Sequence, residues 1–139
     1  MSGNITFTMI KPEAVAKEET GAILKRIIEG GFKIKALKMT CLTKEQAGEF
    51  YGVHKGKPFY DRLITYMSKG PIIAAILEKN NAVADFRKLL GATDPNEAEE
   101  GTLRKEFAES KSKNGVHGSD SDENANIEAN FFFSMRERF

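Results

Sequence analysis

The chain has 139 residues, of which 40% are hydrophobic and 29% charged, values typical of a folded protein with its own core. Its 21 basic and 20 acidic residues nearly cancel, so net charge indicates neither a nucleic-acid nor an anionic-membrane partner. No apolar run reaches the roughly 18 residues of a membrane span, and the first residues lack a signal-peptide core. We therefore expect one cytoplasmic domain over residues 1–139, with the single Cys41 buried and no intramolecular disulfide.

The first two thirds of the chain alternate between strand and helix patterns. Strands are indicated by alternating or continuous apolar residues, and helices by apolar residues at helical spacing between capping and glycine signals. In chain order, the predicted elements are a strand Ile5–Ile10, a helix from Thr20 to Gly30, a strand within Phe32–Leu42, a helix from the Thr43–Gln46 capping box to Tyr51, a helix from Pro58 to Gly70, a buried strand Ile72–Leu77 and a helix from Asn80 to Gly91.

The last third begins with a polar stretch, residues 91–116, that has few apolar anchors. Such a segment inside a domain is often functional or partly disordered. A further helix is predicted after Asp120, with Ala125, Ala129, Phe132 and Phe133 on its apolar side. The order β-α-β-α-α-β-α-loop-α predicts an α/β sandwich in which helices cover a sheet of few strands.

The most informative stretch is Asn114–Ser121, which places His117 among glycines and small polar residues. Such neighbours bury little apolar surface, which argues against a histidine packed in the core. Glycine permits unusual backbone angles and close approach of a ligand, and a nearby hydroxyl or carboxylate can select the tautomer of the ring. We therefore interpret His117 as a reactive imidazole. The other histidine, His54, lies in a glycine-flanked loop and is expected to face solvent.

Several cationic side chains would suit a phosphate ligand near this histidine. Lys11 ends a strand before a helix, Arg87 lies on the helix before the polar stretch, and Arg104 follows Gly101-Thr102-Leu103 at a predicted helix start. Arginine donates in a fork that matches phosphate oxygens, and a neutral imidazole can accept a phosphoryl group. Taken alone, each of these cations is more often a solvated surface charge. No P-loop motif and no metal-ligand spacing of Cys and His occurs in the sequence.

The whole pattern resembles the nucleoside diphosphate kinase family. Asn114-Gly-Val-His117-Gly-Ser-Asp-Ser121 is similar to the family's active-site signature, and other segments follow in the family's order and spacing. These segments are Ile10-Lys11-Pro12, Tyr51, Lys57-Pro58-Phe59, Tyr66-Met67, Gly70-Pro71, Arg87, Gly91-Ala-Thr93-Asp94-Pro95 and Gly101-Thr-Leu-Arg104. The resemblance implies a ferredoxin-like αβ sandwich, of the α+β type, around a four-stranded antiparallel sheet. It also implies ping-pong transfer of the γ-phosphate between nucleoside tri- and diphosphates through phosphohistidine, with broad base tolerance.

The resemblance further implies a role for each matching residue. His117 would be the nucleophile, oriented by Glu128 with Ser119 nearby. Phosphates would be held by Lys11, Tyr51, Arg87, Thr93 and Arg104. Lys11 and Asn114 would contact the ribose, and Phe59 would stack on the base above Leu63. Mg²⁺ would be carried by the nucleotide phosphates rather than by protein ligands, and neither a nucleic acid nor a membrane would be needed. The chain would form a homo-oligomer built from dimers.

Two departures from the family pattern stand out. Lys111 occupies a position where an apolar residue often covers the second face of the base, so either its methylene stem packs there or the base is held from one side. Glu100 precedes Gly101 where proline is common, in a loop that often contributes to hexamer contacts. An alternative function is a non-catalytic nucleotide- or nucleic-acid-binding relative on the same fold, which predicts the loss of the nucleophile or of several phosphate ligands.

Overall fold

A single antiparallel sheet organises the molecule. The computed structural model describes residues 3–139, and its strands are β1 (Ile5–Ile10), β2 (Lys33–Thr40), β3 (Ile72–Glu78) and β4 (Val116–Gly118). They lie in the order β2-β3-β1-β4, and each neighbouring pair is antiparallel. This arrangement confirms the ferredoxin-like αβ sandwich with a four-stranded sheet.

Helices cover both faces of this sheet. They are α1 (Pro12–Ala16), α2 (Thr20–Glu29), α3 (Lys44–Phe50), α4 (Tyr60–Met67), α5 (Ala82–Leu90), α6 (Leu103–Phe107) and α7 (Asp122–Phe132), with short 3-10 turns at Gly52–His54 and Met135–Glu137. None of the helices in residues 3–139 has the length and apolar character to cross a membrane.

The central strands are buried on both faces, which explains their sequence pattern. In β3, Ile72, Ala74 and Ile76 belong to one apolar cluster, while the alternate residues Ile73, Ala75 and Leu77 belong to a second. Side chains alternate across a strand, so the two clusters lie on opposite faces of the sheet. The continuous apolar run of β3 therefore reflects a central position, as predicted.

The capping box that starts α3 is also confirmed. Thr43 Oγ1 accepts a hydrogen bond from the Gln46 N–H at 3.1 Å, and Gln46 Oε1 accepts from the Thr43 N–H at 3.0 Å. From this start α3 runs to Phe50, and Tyr51 is its C-terminal cap. Cys41, in contrast, is exposed rather than buried, because β2 is an edge strand that ends at Thr40.

The residue patterns alone did not predict β4, which holds the signature histidine. β4 spans only Val116–Gly118, and His117 pairs with Met9 of β1. Three residues are too few for the alternation that identifies a strand. His117 is therefore held by a β-ladder rather than by a loop.

Residues 91–116 are better packed than their polar composition suggests. The segment contains α6, and four of its apolar side chains, Ala98, Leu103, Phe107 and Val116, are buried. Leu103 and Phe107 join the same apolar cluster as Phe86 and Leu90 of α5. These few anchors connect the segment to the core, and they position Arg104 of α6 near the end of α5.

Candidate active site

A cavity of about 670 Å³ opens between the start of α4 and the segment before β4. Six of the predicted site residues line it: Lys11, Tyr51, Phe59, Leu63, Thr93 and Asn114. The remaining lining comes from His54, Arg62, Tyr66 and residues 110–113. Its lining carries several cationic side chains and no carboxylate, so the cavity favours an anionic ligand with an apolar part.

His117 belongs to a hydrogen-bonded group with the two residues predicted to orient it. Its Nε2 lies 2.9 Å from Glu128 Oε1, and the Ser119 hydroxyl donates to the same carboxylate oxygen at 2.6 Å. A carboxylate only accepts, so Nε2 carries the proton and Nδ1 keeps its lone pair. The imidazole thus presents a nucleophilic nitrogen on the edge away from Glu128.

Two glycines of the signature are explained by backbone conformation and by packing. Gly115 has a φ of +83°, a conformation that favours glycine. A Cβ on Gly118 would lie 2.6 Å from Leu90 Cδ1 and 2.9 Å from Phe86 Cδ2. The close approach predicted for a ligand is therefore made at Gly118 by α5, which packs directly against the strand of the histidine.

Lys11 is fixed by the segment that leads into β4. Its Nζ donates to Asn114 Oδ1 at 2.7 Å, its backbone N–H donates to the Gly115 carbonyl, and only 7% of the residue is exposed. Burial, with the nearby charge of Arg104, lowers the pKa of Lys11 to about 8, although Glu13 partly opposes the shift. An anion in the cavity would stabilise the ammonium form.

Arg104 is the most constrained cation of the group. It donates to the Gly91 carbonyl at 3.2 Å and to the Val116 carbonyl at 3.0 Å, while its buried Nε has no partner within residues 3–139. Burial and the charge of Arg87 lower the pKa of Arg104 to about 10. The charge of Arg104 therefore acts against that of Lys11, and the charge of Arg87 against that of Arg104, and an anion bound among them would relieve both repulsions.

Tyr51 offers a hydroxyl donor at the same place. The residue is 8% exposed, lines the cavity, and its hydroxyl has no hydrogen-bond partner among the described residues. Burial and the negative charge of Glu128 raise the pKa of Tyr51 above its usual value, so the phenol stays protonated. Tyr51 lines the cavity, and the charge of Glu128 raises its pKa, so Tyr51 lies between the cavity and the hydrogen-bonded group of His117.

The outer part of the cavity is aromatic and partly open. Phe59 is 39% exposed and immediately precedes α4, with Leu63 one turn later. The His54 ring lies 5.2 Å from the Phe59 ring and lines the cavity, so the expectation that it faces only solvent was wrong. The glycines that flank this loop gave no indication that its 3-10 turn would direct His54 inward.

Lys111 lines the cavity, and its backbone carbonyl accepts a hydrogen bond from Asn114 Nδ2.

Three supporting residues were missed by sequence reasoning. Glu13 Oε1 accepts from the Gly115 N–H at 3.0 Å, and the Thr8 hydroxyl donates to the His117 carbonyl at 2.8 Å. The Phe50 ring packs against the imidazole of His117. Glu13 and Thr8 resemble ordinary helix-start and strand residues, and only their position next to Lys11 and Met9 connects them with the site.

Metal ligands of the usual kind are not clustered in the part of the chain that the structure describes. Residues 3–139 contain no group of three or more His, Cys, Asp or Glu side chains that could hold an ion. Two carboxylates of the site already accept hydrogen bonds, Glu128 from His117 and Ser119 and Glu13 from the Gly115 N–H.

Comparison with known proteins identifies the family. The family model described as nucleoside diphosphate kinase matches residues 4–138. A nucleoside diphosphate kinase of Flavobacterium psychrophilum is 57% identical over 139 residues, covering 100% of both chains. One from Chlorobium limicola is 57% identical over 132 residues, covering 95% of this chain and 94% of its own.

Solved structures agree with the sequence relatives. The Aquifex aeolicus nucleoside diphosphate kinase superposes with a TM-score of 0.96 at 43% identity, covering 99% of this chain and 100% of that one. A Halobacterium salinarum nucleoside diphosphate kinase in complex with CDP gives 0.93 at 33% identity, covering 99% and 91%. The chain therefore belongs to the nucleoside diphosphate kinase family, and it is a phosphotransferase that acts on nucleoside phosphates.

Proposed function

We propose that His117 carries the phosphoryl group between a nucleoside triphosphate and a nucleoside diphosphate in a ping-pong reaction. The Nδ1 lone pair attacks the γ-phosphorus, and the bond to the β–γ bridging oxygen breaks as the diphosphate leaves. A terminal oxygen of the second diphosphate then attacks the same phosphorus, and the N–P bond electrons return to Nδ1. The observation that carries this proposal is the 2.9 Å contact of Nε2 with Glu128, which leaves Nδ1 unprotonated.

The phosphates are assigned to the inner cations and hydroxyls. Lys11, Arg87 and Arg104 supply positive charge, and Tyr51 and Thr93 supply hydroxyl donors. Phosphoryl transfer needs positioning and charge stabilisation more than covalent chemistry. Burial lowers the pKa of Lys11 and of Arg104, and a neighbouring arginine adds to each shift, Arg104 for Lys11 and Arg87 for Arg104; this crowding of cations supports a phosphate site among them.

The nucleoside is assigned to the outer part of the cavity. We assign the ribose to Lys11 and Asn114 and the base to Phe59 with Leu63, all of which line the cavity. Stacking does not depend on base identity, because every base has a π face, so this site accepts all nucleosides. The complex of the Halobacterium relative with CDP shows that one member of the family binds a nucleoside diphosphate.

Divalent metal ions act with the enzymes of this family, and we assign Mg²⁺ to the phosphates of the nucleotide. The cavity lining contains no carboxylate, which fits a metal carried in on the substrate better than one resident in the protein. Mg²⁺ retains water and binds phosphate oxygens readily, and when bound it neutralises phosphate charge.

The direct test of this function is self-labelling. Incubation with γ-labelled ATP alone should transfer the label to the protein, and the bond should be acid-labile and base-stable, as a phosphoramidate is. A non-catalytic nucleotide binder or a relay protein phosphorylated by a partner would not label itself. Absence of label under these conditions overturns the proposal.

Lys11 makes the reaction sensitive to alkaline pH. Its pKa of about 8 means that the ammonium is present below this pH and is lost as the pH rises through it. Because a charged hydrogen bond contributes about 1.5–3 kcal/mol, we expect kcat/KM to fall roughly 10-fold between about pH 7 and 9.5. The second ionisation of a terminal phosphate, near about 6, lies outside this window. The Lys11→Arg variant, whose charge persists, should lack this step, and a flat wild-type profile contradicts the assignment.

Phe59 tests the base platform. Phe59→Ala should weaken binding of every nucleotide by about 1–3 kcal/mol, roughly 5- to 150-fold in Kd, with little change in the order of preference among bases. Val53→Ala provides the control, since Val53 is 81% exposed on the neighbouring turn. Calorimetric titration with the four common diphosphates measures the effect. Loss of affinity for one base only would show that Phe59 discriminates rather than stacks.

Assembly follows from apolar surface outside the cavity, and we assign a homo-oligomer built from two-fold dimers. Of the three consecutive residues Phe131–Phe133, only Phe131 is exposed, at 38%, because Phe132 and Phe133 are buried in the core. On the edge strand β2, however, Leu37 is 48% and Met39 is 62% exposed.

We also assign residues 1–139 to one catalytic domain and the protein to the cytoplasm.

The acidic loop Glu97–Glu100 makes a salt dependence testable. Three such loops meeting in a hexamer would repel, so a hexamer should gain stability when salt screens the charges. Sedimentation at low salt and at about 0.5 M measures this. A monomer under both conditions contradicts the oligomer, and a hexamer favoured at low salt contradicts the repulsion.

A further inference from the structure

Phe50, the last residue of α3, lies against the nucleophilic histidine. Its ring centroid is 5.7 Å from that of the His117 imidazole, and the two planes meet at 76°. We propose that Phe50 is a positioning residue that fixes the plane of the His117 ring, and so aims Nδ1 at the phosphorus. This inference rests on the proposed role of His117 as the nucleophile.

One hydrogen bond cannot fix this ring by itself. The β-ladder and the Thr8 hydroxyl hold the His117 backbone, and Glu128 holds Nε2. The χ2 torsion of histidine is nevertheless broad, and the Nε2–Glu128 contact tolerates rotation of the ring. Such rotation moves Nδ1 away from its line of attack. A rigid group beside the ring is therefore required, and Phe50 lies in that position.

The surroundings of Phe50 make it rigid. Its ring contacts four other aromatic rings besides the imidazole, at centroid distances of 6.0 Å to Phe7, 4.9 Å to Tyr51, 5.4 Å to Phe131 and 5.4 Å to Phe132. These rings come from β1, α7 and the end of α3. Rotation of the Phe50 ring would disturb all of these contacts. The ring is therefore held in place, and it in turn restricts rotation of the His117 imidazole. Phe7 also contacts the imidazole, at 6.1 Å, from the sheet beneath.

Phe131 supplies a matched control. It contacts Phe50 at 5.4 Å and Phe132 at 5.1 Å, but no aromatic contact joins it to His117 among the described residues. Replacing either phenylalanine with leucine removes one ring from the same cluster. Only the Phe50 substitution removes the ring that touches the imidazole, so a difference between the two variants does not come from general loosening. Phe50 also contacts Tyr51, which lines the cavity, and half-saturation by ATP reports any disturbance there.

The experiment measures single-turnover phosphorylation of the enzyme by ATP·Mg²⁺ for the wild type and for Phe50→Leu, Phe131→Leu and Phe50→Tyr. We expect Phe50→Leu to slow phosphorylation at saturating ATP by roughly 2- to 12-fold, the rate equivalent of an aromatic contact of about 0.5–1.5 kcal/mol. Half-saturation by ATP should not change, because Phe50 does not line the cavity. Phe131→Leu should retain the wild-type rate, and Phe50→Tyr, which keeps the ring, should restore most of it. Thermal unfolding of each variant confirms that a folded protein is being compared.

Three results would overturn the inference. Phe50→Leu could retain the wild-type rate, could change only half-saturation, or could be slowed no more than Phe131→Leu. Failure of the wild type itself to become phosphorylated on His117 is a different outcome, because it refutes the proposed function rather than the role of Phe50.

Discussion

His117→Ala will abolish both phosphoenzyme formation and phosphoryl transfer. The other imidazole, His54, has no such hydrogen bond within residues 3–139, whereas His117 Nε2–H donates to Glu128 and leaves the Nδ1 lone pair free. Removing a nucleophile from a covalent pathway removes the pathway, so the loss should exceed that of any other single substitution in the site. Labelling with γ-labelled ATP and a coupled assay of transfer measure the two steps separately.

His54→Ala is the matched control for this experiment. Its ring lines the outer cavity beside Phe59, so the variant should bind nucleotide somewhat more weakly while still forming the full amount of phosphoenzyme. Label that survives in the His117 variant, or that disappears in the His54 variant at saturating ATP, would show that His117 is not the nucleophile.

Local signals in the sequence were reliable wherever the structure depends on neighbours along the chain. The Thr43–Gln46 capping box forms as predicted, because both of its hydrogen bonds close within one helical turn. The apolar run of β3 identified a central strand, since burial on both faces leaves no polar alternation. Such elements can be predicted from neighbouring residues, without information on contacts to distant parts of the chain.

Other features depend on partners far along the chain, which explains why residue patterns did not reveal them. β4 exists because Val116–Gly118 pairs with β1, more than a hundred residues earlier. Phe50 contacts His117 only because the fold brings the end of α3 next to β4. Residue patterns singled out His117 and the cations Lys11, Arg87 and Arg104, and the other expected site residues came from the family resemblance. The contacts of Arg104 with two carbonyls required the fold.

Arg104→Ala should lower kcat as well as kcat/KM. We expect a loss of about 2–4 kcal/mol, roughly 30- to 900-fold, as for other preorganised charge donors. Two N–H groups of Arg104 already donate to the carbonyls of Gly91 and Val116, which fixes the guanidinium before substrate arrives. The remaining donors, including the unpartnered Nε–H, are free for the phosphoryl oxygens that gain charge in the transition state. A fixed donor need not reorganise during transfer, so its effect is larger on the transition state than on the bound substrate.

Two comparisons separate this catalytic effect from loss of structure. Lys105→Ala removes the next cation of α6, which is exposed, and should leave kcat unchanged. Arg104→Lys retains a positive charge but not the fork that reaches both carbonyls, so it should recover only part of the loss. Because Arg104→Ala also leaves two carbonyls without a donor, thermal unfolding must show that the assay temperature lies below its transition. If kcat is unchanged and only KM rises, Arg104 binds substrate and transition state equally, and the charge-stabilising role is wrong.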